Sequence, residues 1–390
     1  MLLLGSDTEN PVNAGRTDAI MLVSINRTAG TVNLLSIPRD LFVYIPGWTM
    51  QRINTAFGYG EHNGVEGGGV ALLKDTILYN LGIRVDFYVR VDFADFRRIV
   101  DAVGGVEIAV DCAIQDWRLI EPGLDPEVEE HWELFTLPVG VHLMDGDLAL
   151  WYVRSRRTSS DFDRGRRQQD IMRALWRRVN ALGLLNQLPA LWGQVTEIVD
   201  TDMQLPDLLG LVPLALTIDS SRIAHFTFQP NEDVRPWRTP DGASVQLMVP
   251  ERVRALLGDF MQPATQNRLV QGGPVVEVLN ATGYPGLDRV AADSLAWEGF
   301  RALAGGEEQG QYRGVSVVYD YVGRTKGGAL DVLLEVLHLP PEAVVVEPDL
   351  ARTVDYRVIL GGDYRSCRHQ VLPPVPTPTP EIPVAQGGAS

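Results

Sequence analysis

The segment WYVRSRRTSSDFDRGRRQQ, residues Trp151–Gln169, concentrates arginine in a chain that is acidic elsewhere. From Tyr152 to Arg178, nine arginines stand against three aspartates, a local net charge of +6 within a 390-residue chain of net charge −16. Such a local reversal of sign indicates a surface built to hold an anion. The same residues also suit an arginine-rich, solvent-exposed helix that is paired with its own carboxylates. The basic run alone leaves both interpretations open.

The spacing of the polar residues predicts how they face that anion. Arg154 and Arg156 are two residues apart, so an extended segment would point both to one side. Asp161, Arg164 and Gln168 have the spacing i, i+3 and i+7 and share one face of a predicted helix.

A pair of serines precedes the predicted helix. Either Ser159 or Ser160 is suited to cap its N-terminus, and a helix N-terminus itself favours an anion. Arginine can hold phosphate oxygens in a bidentate fork. Because Lys74 and Lys326 are the only lysines of the chain, the choice of arginine here adds no weight to a phosphate site.

Two apolar runs near the N-terminus predict a β-hairpin, Ala19–Ile25 and Val32–Ile37. A turn centred between Thr28 and Ala29 pairs residues whose numbers add to 57, which places Asp18 opposite Arg39. Asp7 ends the preceding predicted strand and can reach the same edge. Two carboxylates and an arginine are therefore expected to converge.

Paired carboxylates of this kind suit a hard cation such as Mg²⁺ or Mn²⁺, which takes oxygen ligands and keeps positions for substrate phosphates. Asp7 and Asp18 also fit the description of ordinary loop and turn acids. Their spacing alone does not separate these interpretations.

The order of strands and helices predicts an α/β fold, with a mixed central sheet flanked by helices and a second, smaller α/β domain. The 45% hydrophobic content is ample for packed cores. The predicted divisions are a first domain over 1–261, a linker over 262–274, a second domain over 275–365 and a Pro-rich tail over 366–390.

Several segments are harder to interpret. Residues Ala113–Leu134 are acidic and predict an irregular surface excursion. Three apolar segments predict helices that either pack the core or line a lipid pocket: Ile171–Ala181, Gln187–Val199 and Leu205–Leu216.

Composition excludes several classes of protein. A net charge of −16 argues against non-specific binding of nucleic acid or anionic lipid, and no nucleic-acid partner is expected. Cys112 and Cys367 fall in different predicted segments of the chain, which argues against a disulfide framework and a cysteine-based metal site and leaves the redox compartment open. No segment reaches the roughly 18 apolar residues that span a membrane, so any targeting segment is expected to be missing from this chain.

The motifs, taken in order, resemble the LytR–CpsA–Psr family of cell-envelope proteins over about residues 1–225. They are GSD ending at Asp7, RTD (Arg16–Asp18), SIPRD (Ser36–Asp40), RINTAF (Arg52–Phe57), VDAVGGVEIAV (Val100–Val110), LMDGDLALWYVRSR (Leu143–Arg156) and DFDRGRRQQ (Asp161–Gln169). Residues Val275–Gly362, which contain VEVLNATGYPGL, resemble the accessory domain often attached to the family.

The resemblance implies an extracytoplasmic enzyme at the cell membrane, held there by an anchor that this chain does not contain. Its partners would be a polyprenyl-pyrophosphate-linked glycan and peptidoglycan. The enzyme would move the glycan phosphate from the carrier to a peptidoglycan hydroxyl, with the prenyl chain in an apolar pocket and Mg²⁺ on the pyrophosphate.

The resemblance also implies roles for individual residues. Asp7 and Asp18 would hold the metal, and Arg39, Asp161 and Arg164 would act in catalysis. The substrate would be bound by Arg39, Arg52, Arg154, Arg156, Arg164 and Gln168. One departure is that the family's usual arginine soon after the first aspartate is absent, since this chain reads DTEN there. Hydrolysis of the carrier pyrophosphate at the same site, or non-catalytic binding of an envelope glycolipid, would use similar residues.

Overall fold

The computed structural model describes residues 1–6, 16–121, 123–158, 160–218, 222–263, 273–308, 312–323 and 328–367. Asp7 and Ser159 lie outside the described residues, as do most of the predicted linker and residues 368–390 of the predicted tail.

The strands of the first domain are β1 (Leu2–Ser6), β2 (Thr17–Asn26), β3 (Thr31–Ser36), β4 (Phe42–Tyr44), β5 (Met50–Arg52), β6 (Tyr88–Asp92), β7 (Val106–Val110), β8 (Ile114–Leu119), β9 (Trp132–Leu137), β10 (Gly140–Met144), β11 (Asp200–Thr201), β12 (Ile223–Thr227), β13 (Val234–Arg238) and β14 (Ser244–Met248). Its helices are α1 (Ala56–His62), α2 (Gly68–Leu81), α3 (Phe93–Ala102), α4 (Gly146–Arg154), α5 (Asp161–Ala181), α6 (Leu188–Ile198), α7 (Leu205–Leu209), α8 (Val212–Thr217) and α9 (Pro250–Met261).

The central sheet has the strand order β11-β6-β1-β2-β3-β12. It is mixed, since β1 runs parallel to β6 and β3 runs parallel to β12, while β2 is antiparallel to both of its neighbours. The β2–β3 hairpin pairs Met21 with Ser36 and Asn26 with Thr31, so the predicted register is confirmed. The short turn and the division of the apolar side chains between two buried faces set that register.

Helices cover both faces of this sheet. Leu2, Ile20 and Leu22 belong to a core that includes Leu73 of α2 and Phe260 of α9. The alternate residues of β2 face the other way, where Met21 and Val23 pack with Ile223 and partly buried Trp176 of α5. This alternation places α5, and with it the arginine-rich segment, against the second face of the sheet.

Gly165 determines how closely α5 approaches β3. A Cβ atom at Gly165 would lie 2.9 Å from the Cβ of Ser36, so any side chain there would push the helix from the strand. The Oγ of Ser36 donates a hydrogen bond to the Gly165 carbonyl at 3.1 Å. The N-terminal part of α5 is thereby held at the end of β3, beside Arg39.

Three local predictions are wrong. Ala113–Leu134 contains β8, whose antiparallel partner is β9, and is not irregular throughout. Arg154 ends α4 and is not extended, because Asp145 caps a helix that continues through Trp151. Leu205–Leu216 forms α7 and α8, each with proline near its first position, where the missing N–H costs no helical bond.

The second domain contains β15 (Val275–Asn280), α10 (Leu287–Trp297), β16 (Arg301–Glu307), β17 (Val317–Asp320), α11 (Ala329–Leu337), β18 (Val344–Val346) and β19 (Tyr356–Leu360). Its sheet order is β16-β15-β19-β17-β18, and it has its own hydrophobic core. The predicted fold class is confirmed, although β16 was not predicted.

The two domains meet at α5. Asp293 on α10 lies 3.0 Å from the Arg177 guanidinium and 3.6 Å from that of Arg173. A disulfide joins Cys112 to Cys367 across the same junction, a pairing that the sequence interpretation missed by considering each domain separately. The second domain is therefore attached to the helix that carries the arginine cluster. Among the described residues, no helix is long and apolar enough to cross a membrane.

Candidate active site

A cavity of about 520 Å³ lies between the second face of the sheet and helices α3 to α5. Much of its wall is apolar, with contributions from Leu3, Met21, Val91, Phe96, Ile171 and Leu175. The predicted contribution of Ile171–Ala181 is present, whereas no described residue of α7 or α8 lines this cavity. The cavity therefore offers a binding site for an apolar chain.

The predicted polar residues gather at one part of this cavity. Those that line it are Asp18, Arg39, Arg154, Arg156, Arg164 and Gln168. Arg52 is not among the described lining residues, and its Nη1 lies 3.5 Å from Oδ1 of Asp40 instead. Apolar walls and a cluster of guanidinium groups thus share a single cavity, as a ligand with a lipid tail and an anionic head would require.

Two aspartates hold the arginines in place. The Nη1 of Arg39 donates to Oδ1 of Asp18 at 2.6 Å. The carboxylate of Asp161 lies 3.2 Å from Arg164, 3.8 Å from Arg39 and 4.0 Å from Arg156. Since one carboxylate is shared among several guanidinium groups, positive charge remains in excess in this part of the cavity wall.

Burial is the main cause of the pKa shifts of two of these arginines, and neighbouring positive charge adds to it. Burial lowers the pKa of Arg164 to about 10, opposed by Asp161 and reinforced by Arg156 and Arg39. Burial and then Arg39 also lower the pKa of Arg156. A bound anion would favour the charged form of both side chains. The arrangement is therefore complementary to a phosphate-containing group.

Arg167 has a different role from the arginines that line the cavity. Its side chain is buried, and its two terminal nitrogens donate to the carbonyls of Tyr152 and Ser155, each at 2.5 Å. These bonds tie the end of α4 to α5 and so set the positions of Arg154 and Arg156. Sequence alone did not separate Arg167 from the anion-binding arginines, because all belong to one basic run.

Asp116, on β8, provides a second support that the sequence did not reveal. Its Oδ2 accepts the backbone N–H of Arg156 at 2.7 Å and that of Arg157 at 3.2 Å. The strand that replaces the predicted irregular segment therefore shapes the loop that carries Arg156.

A buried hydrogen-bond chain positions α5 from behind the cavity. The Nε2 of Gln169 donates to Ser36 Oγ at 2.8 Å and to the Phe226 carbonyl at 3.0 Å. The Oε1 of Gln169 is left as an acceptor, 3.0 Å from Nδ1 of His225. This partner assigns the proton of neutral His225 to Nδ1. Gln169, unlike Gln168, had no predicted role.

The capping prediction is resolved at Ser160. Its Oγ accepts the backbone N–H of Asp163 at 3.2 Å, and Asp163 in turn accepts the N–H of Ser160 at 2.8 Å. The predicted helix face is also present, since Asp161 contacts Arg164 while Arg164 and Gln168 line the cavity.

The metal prediction rests on Asp18, because Asp7 lies outside the described residues. Within the described part of the chain, no group of three or more His, Cys, Asp or Glu side chains is placed to hold a metal ion. Asp18 nevertheless brings hard carboxylate oxygens to the cavity, and Mg²⁺ commonly uses one or two carboxylates together with substrate phosphates. The donor set fits that ion once a pyrophosphate is present, and the metal remains a prediction.

The fold and site define a class of α/β protein in which an arginine-lined anion site opens into an apolar cavity. Residues 1–258 match the model of the LytR_cpsA_psr family, and the chain belongs to this family. Residues 274–364 match the model described as LytR cell envelope-related transcriptional attenuator.

Relatives of known designation match about half of the chain. The chain is 32% identical over 246 residues to the polyisoprenyl-teichoic acid–peptidoglycan teichoic acid transferase TagT of Bacillus subtilis, covering 59% of this chain and 69% of TagT. It is 36% identical over 179 residues to the probable cell wall biosynthesis protein LcpB of Corynebacterium glutamicum, covering 46% of this chain and 38% of LcpB. It is 32% identical over 215 residues to TagU of Halalkalibacterium halodurans, a transferase of the same designation as TagT, covering 54% of this chain and 63% of TagU. The chain thus spans less than two thirds of the last two relatives.

Solved structures share the fold. The structure of TagT bound to LIIa-WTA superposes with a TM-score of 0.50 at 25% identity, over 66% of this chain and 88% of that one. The crystal structure of B. subtilis TagV gives a TM-score of 0.53 at 24% identity, over 67% and 95% of the two chains.

Proposed function

We propose that this protein transfers a glycan phosphate from a polyprenyl-pyrophosphate carrier to a hydroxyl group of peptidoglycan. The observation that carries the proposal is the joining of an apolar cavity to an arginine cluster, with Arg156 and Arg164 lining the same cavity as Phe96 and Leu175. Membership of the family and the designations of TagT and TagU support the reaction class.

The reaction is a substitution at phosphorus. The acceptor oxygen forms a bond to the sugar-side phosphorus, the pyrophosphate P–O bond breaks, and polyprenyl phosphate leaves. Arg39, Arg156 and Arg164 bind the pyrophosphate and stabilise the charge that develops on its oxygens. Asp161 orients these arginines through its ion pairs, and in this proposal it also receives the proton of the acceptor hydroxyl.

Mg²⁺, held by Asp18 and by Asp7 of the matching motif, would neutralise charge on the leaving phosphate when bound. Because Asp18 forms an ion pair with Arg39, a metal bound by Asp18 would share that carboxylate with the arginine.

We place the reaction at the extracytoplasmic face of the membrane. The disulfide between Cys112 and Cys367 supports this location, because structural disulfides persist in oxidising compartments. Membrane association, which the family resemblance implies, is part of the same proposal.

Product analysis tests the reaction. The purified protein is incubated with a polyprenyl-pyrophosphate-linked glycan and Mg²⁺, with and without peptidoglycan. The expected result is glycan phosphate covalently attached to peptidoglycan and release of polyprenyl phosphate. Equal release with no attachment would identify a hydrolase, and binding with no turnover would identify a non-catalytic glycolipid-binding protein.

The lipid assignment has its own test. Leu175→Trp fills the apolar cavity, and Leu182→Trp places the same side chain at an exposed position just beyond α5. We expect only Leu175→Trp to raise the KM for a long-chain donor. Equal behaviour of the two variants would contradict a prenyl chain in this cavity.

A further inference from the structure

A row of aromatic side chains begins beside the arginine cluster and runs outward along β4. Asp40, Phe42 and Tyr44 are partly exposed and alternate with residues that are fully buried, Leu41, Val43 and Ile45. Because side chains alternate between the faces of a strand, Phe42 and Tyr44 share the outward face of β4, and Asp40 lies in the turn just before it.

Neighbouring elements widen this row. The ring of Trp237 on β13 lies 5.6 Å from that of Phe42, and the ring of Tyr79 on α2 lies 5.2 Å from that of Tyr44, measured between centroids. Trp237 is 40% exposed and Tyr79 is 67% exposed. Large exposed aromatic groups arranged in this way mark a binding surface.

The row is continuous with the candidate active site. Arg52 on β5 pairs with Phe42 on β4, so the two side chains lie on the same face. Asp40 links Arg52 to Arg39, with nitrogen–oxygen distances of 3.5 Å and 3.6 Å. Arg39 lines the lipid cavity, whereas neither Asp40 nor Arg52 is among the described residues that line it.

Arg39 therefore stands between the lipid cavity and the aromatic row. In phosphoryl transfer, the attacking and leaving oxygens lie roughly in line on opposite sides of phosphorus. With polyprenyl phosphate leaving into the cavity, the acceptor hydroxyl must approach from the other side of the arginine cluster. Asp40, Arg52 and the aromatic row connect to Arg39 without lining the cavity, which makes them the candidates for that side.

We propose that Phe42, Tyr44, Trp237 and Tyr79 form the binding site of the acceptor, a polysaccharide strand. This inference rests on the proposed function and names where its acceptor binds. The C–H faces of sugar rings pack against aromatic faces, which supply a large contact area at little conformational cost. From Phe42 to Tyr44 the strand spans about 7 Å, and Trp237 and Tyr79 add aromatic surface beside these two residues.

Polar groups at the inner end of the row suit sugar hydroxyls. The side chains of Arg52 and Asp40 are 30% and 25% exposed, and their charged groups lie 3.5 Å apart. A sugar hydroxyl both donates and accepts, so one sugar can engage the carboxylate and the guanidinium together.

Acceptor kinetics test the assignment. Trp237→Ala and Phe42→Ala are compared with Trp117→Ala, which removes a 51% exposed tryptophan on β8, away from the row. We expect each of the first two to raise the KM for acceptor by about 3- to 10-fold, the loss of one aromatic contact. The KM for donor should stay that of the wild type, and Trp237→Tyr should restore most of the acceptor affinity. A rise in donor KM in place of acceptor KM would overturn the proposal, because the row would then bind the carrier's glycan.

Binding without turnover separates this inference from the proposed reaction. Co-sedimentation with glycan strands stripped of their peptides should weaken in Trp237→Ala and Phe42→Ala but not in Trp117→Ala. If these binding differences were found but the wild-type protein showed no transferase activity, the glycan site would be supported and the proposed reaction would be rejected. The glycan site would be rejected if Trp237→Ala and Phe42→Ala kept the wild-type melting temperature, the wild-type binding of glycan strands and the wild-type KM for acceptor.

Discussion

The indole of Trp297 stacks on the imidazole of His225, with ring centroids 3.7 Å apart and planes 15° apart. Trp297 ends α10 of the second domain, and His225 lies on β12 of the first. His225 contacts Gln169, which bonds Ser36, which in turn bonds the Gly165 carbonyl next to Arg164. A chain of contacts thus runs from the second domain to the arginine cluster.

We predict that Trp297→Ala slows transfer as well as lowering stability. Loss of the stack should release His225 and Gln169, so that α5 holds Arg164 less firmly. The expected loss in unfolding free energy is about 1–3 kcal/mol, less than for a fully buried aromatic residue. Turnover of the folded enzyme should fall while Trp297→Phe retains it. Unchanged kcat in folded Trp297→Ala would show that the contact only joins the domains.

Acid should weaken the junction through His225. Burial, followed by Arg173 and Arg166, lowers the pKa of His225 well below its usual 6.5. The unfolded chain therefore takes up this proton more readily than the folded one, and stability falls as the pH drops below 6.5. The difference in unfolding free energy between wild type and His225→Asn should shrink as the pH is lowered in that range.

Asp170 opposes this trend. Burial raises the pKa of Asp170 from 3.8 to about 7, so the folded protein takes up that proton more readily and gains stability as the pH falls through this range. Both proteins in the His225 comparison keep Asp170, and their difference isolates the imidazole. A difference that stays constant with pH would contradict a buried, neutral His225.

Arg156 should matter for catalysis and little for folding. Arg156→Ala removes a guanidinium that lines the cavity, and Arg157→Ala removes its exposed neighbour, which does not. A charge-assisted bond to the pyrophosphate contributes about 1.5–3 kcal/mol, so Arg156→Ala should slow transfer by roughly tenfold to a hundredfold. Both variants should melt near the wild-type temperature. A strong melting defect with normal turnover of the folded fraction would make Arg156 a structural residue.

Arg167 should show the opposite balance. Arg167→Met leaves the carbonyls of Tyr152 and Ser155 without their buried donors, and each unsatisfied group costs about 1–3 kcal/mol. The expected result in urea unfolding is a loss of roughly 2–5 kcal/mol, with weaker donor binding because Arg154 and Arg156 shift. An unfolding free energy equal to that of Arg156→Ala would show that Arg167 does not hold α4 and α5 together.

Asp18→Asn tests the metal. The amide keeps the size of the side chain but removes the charge that both Arg39 and a divalent cation would use. Most of the Mg²⁺-dependent activity should disappear, and a Mg²⁺ titration should show a raised half-saturation concentration. Wild-type turnover in this variant, or in wild-type protein with excess chelator, would remove the metal from the mechanism.

The parts of the site that follow local periodicity were predictable. A two-residue alternation and a short turn place Asp18 beside Arg39, and the helical period places Asp161 with Arg164. These relationships depend on residues close in the chain or paired through one turn. Both contacts could therefore be predicted without knowing the rest of the fold.

The parts that depend on distant segments were not predictable from spacing. Arg167 and Arg156 look alike in the sequence. Only the path of α4 lets Arg167 bind the carbonyl of Tyr152 while Arg156 lines the cavity. Asp293 reaches Arg177 from the second domain with a sequence separation of 116 residues. Nothing local to either residue identifies its partner.

The bridge between Cys112 and Cys367 closes the 255-residue separation between them into a covalent ring that contains both α5 and α10. One peptide bond cut anywhere within that ring, including the linker, leaves two pieces that remain attached. The second domain then stays at high local concentration next to its docking face, as tethered partners do. Only cleavage followed by reduction sets it free, so a nicked molecule keeps its single-chain mass until a thiol is added.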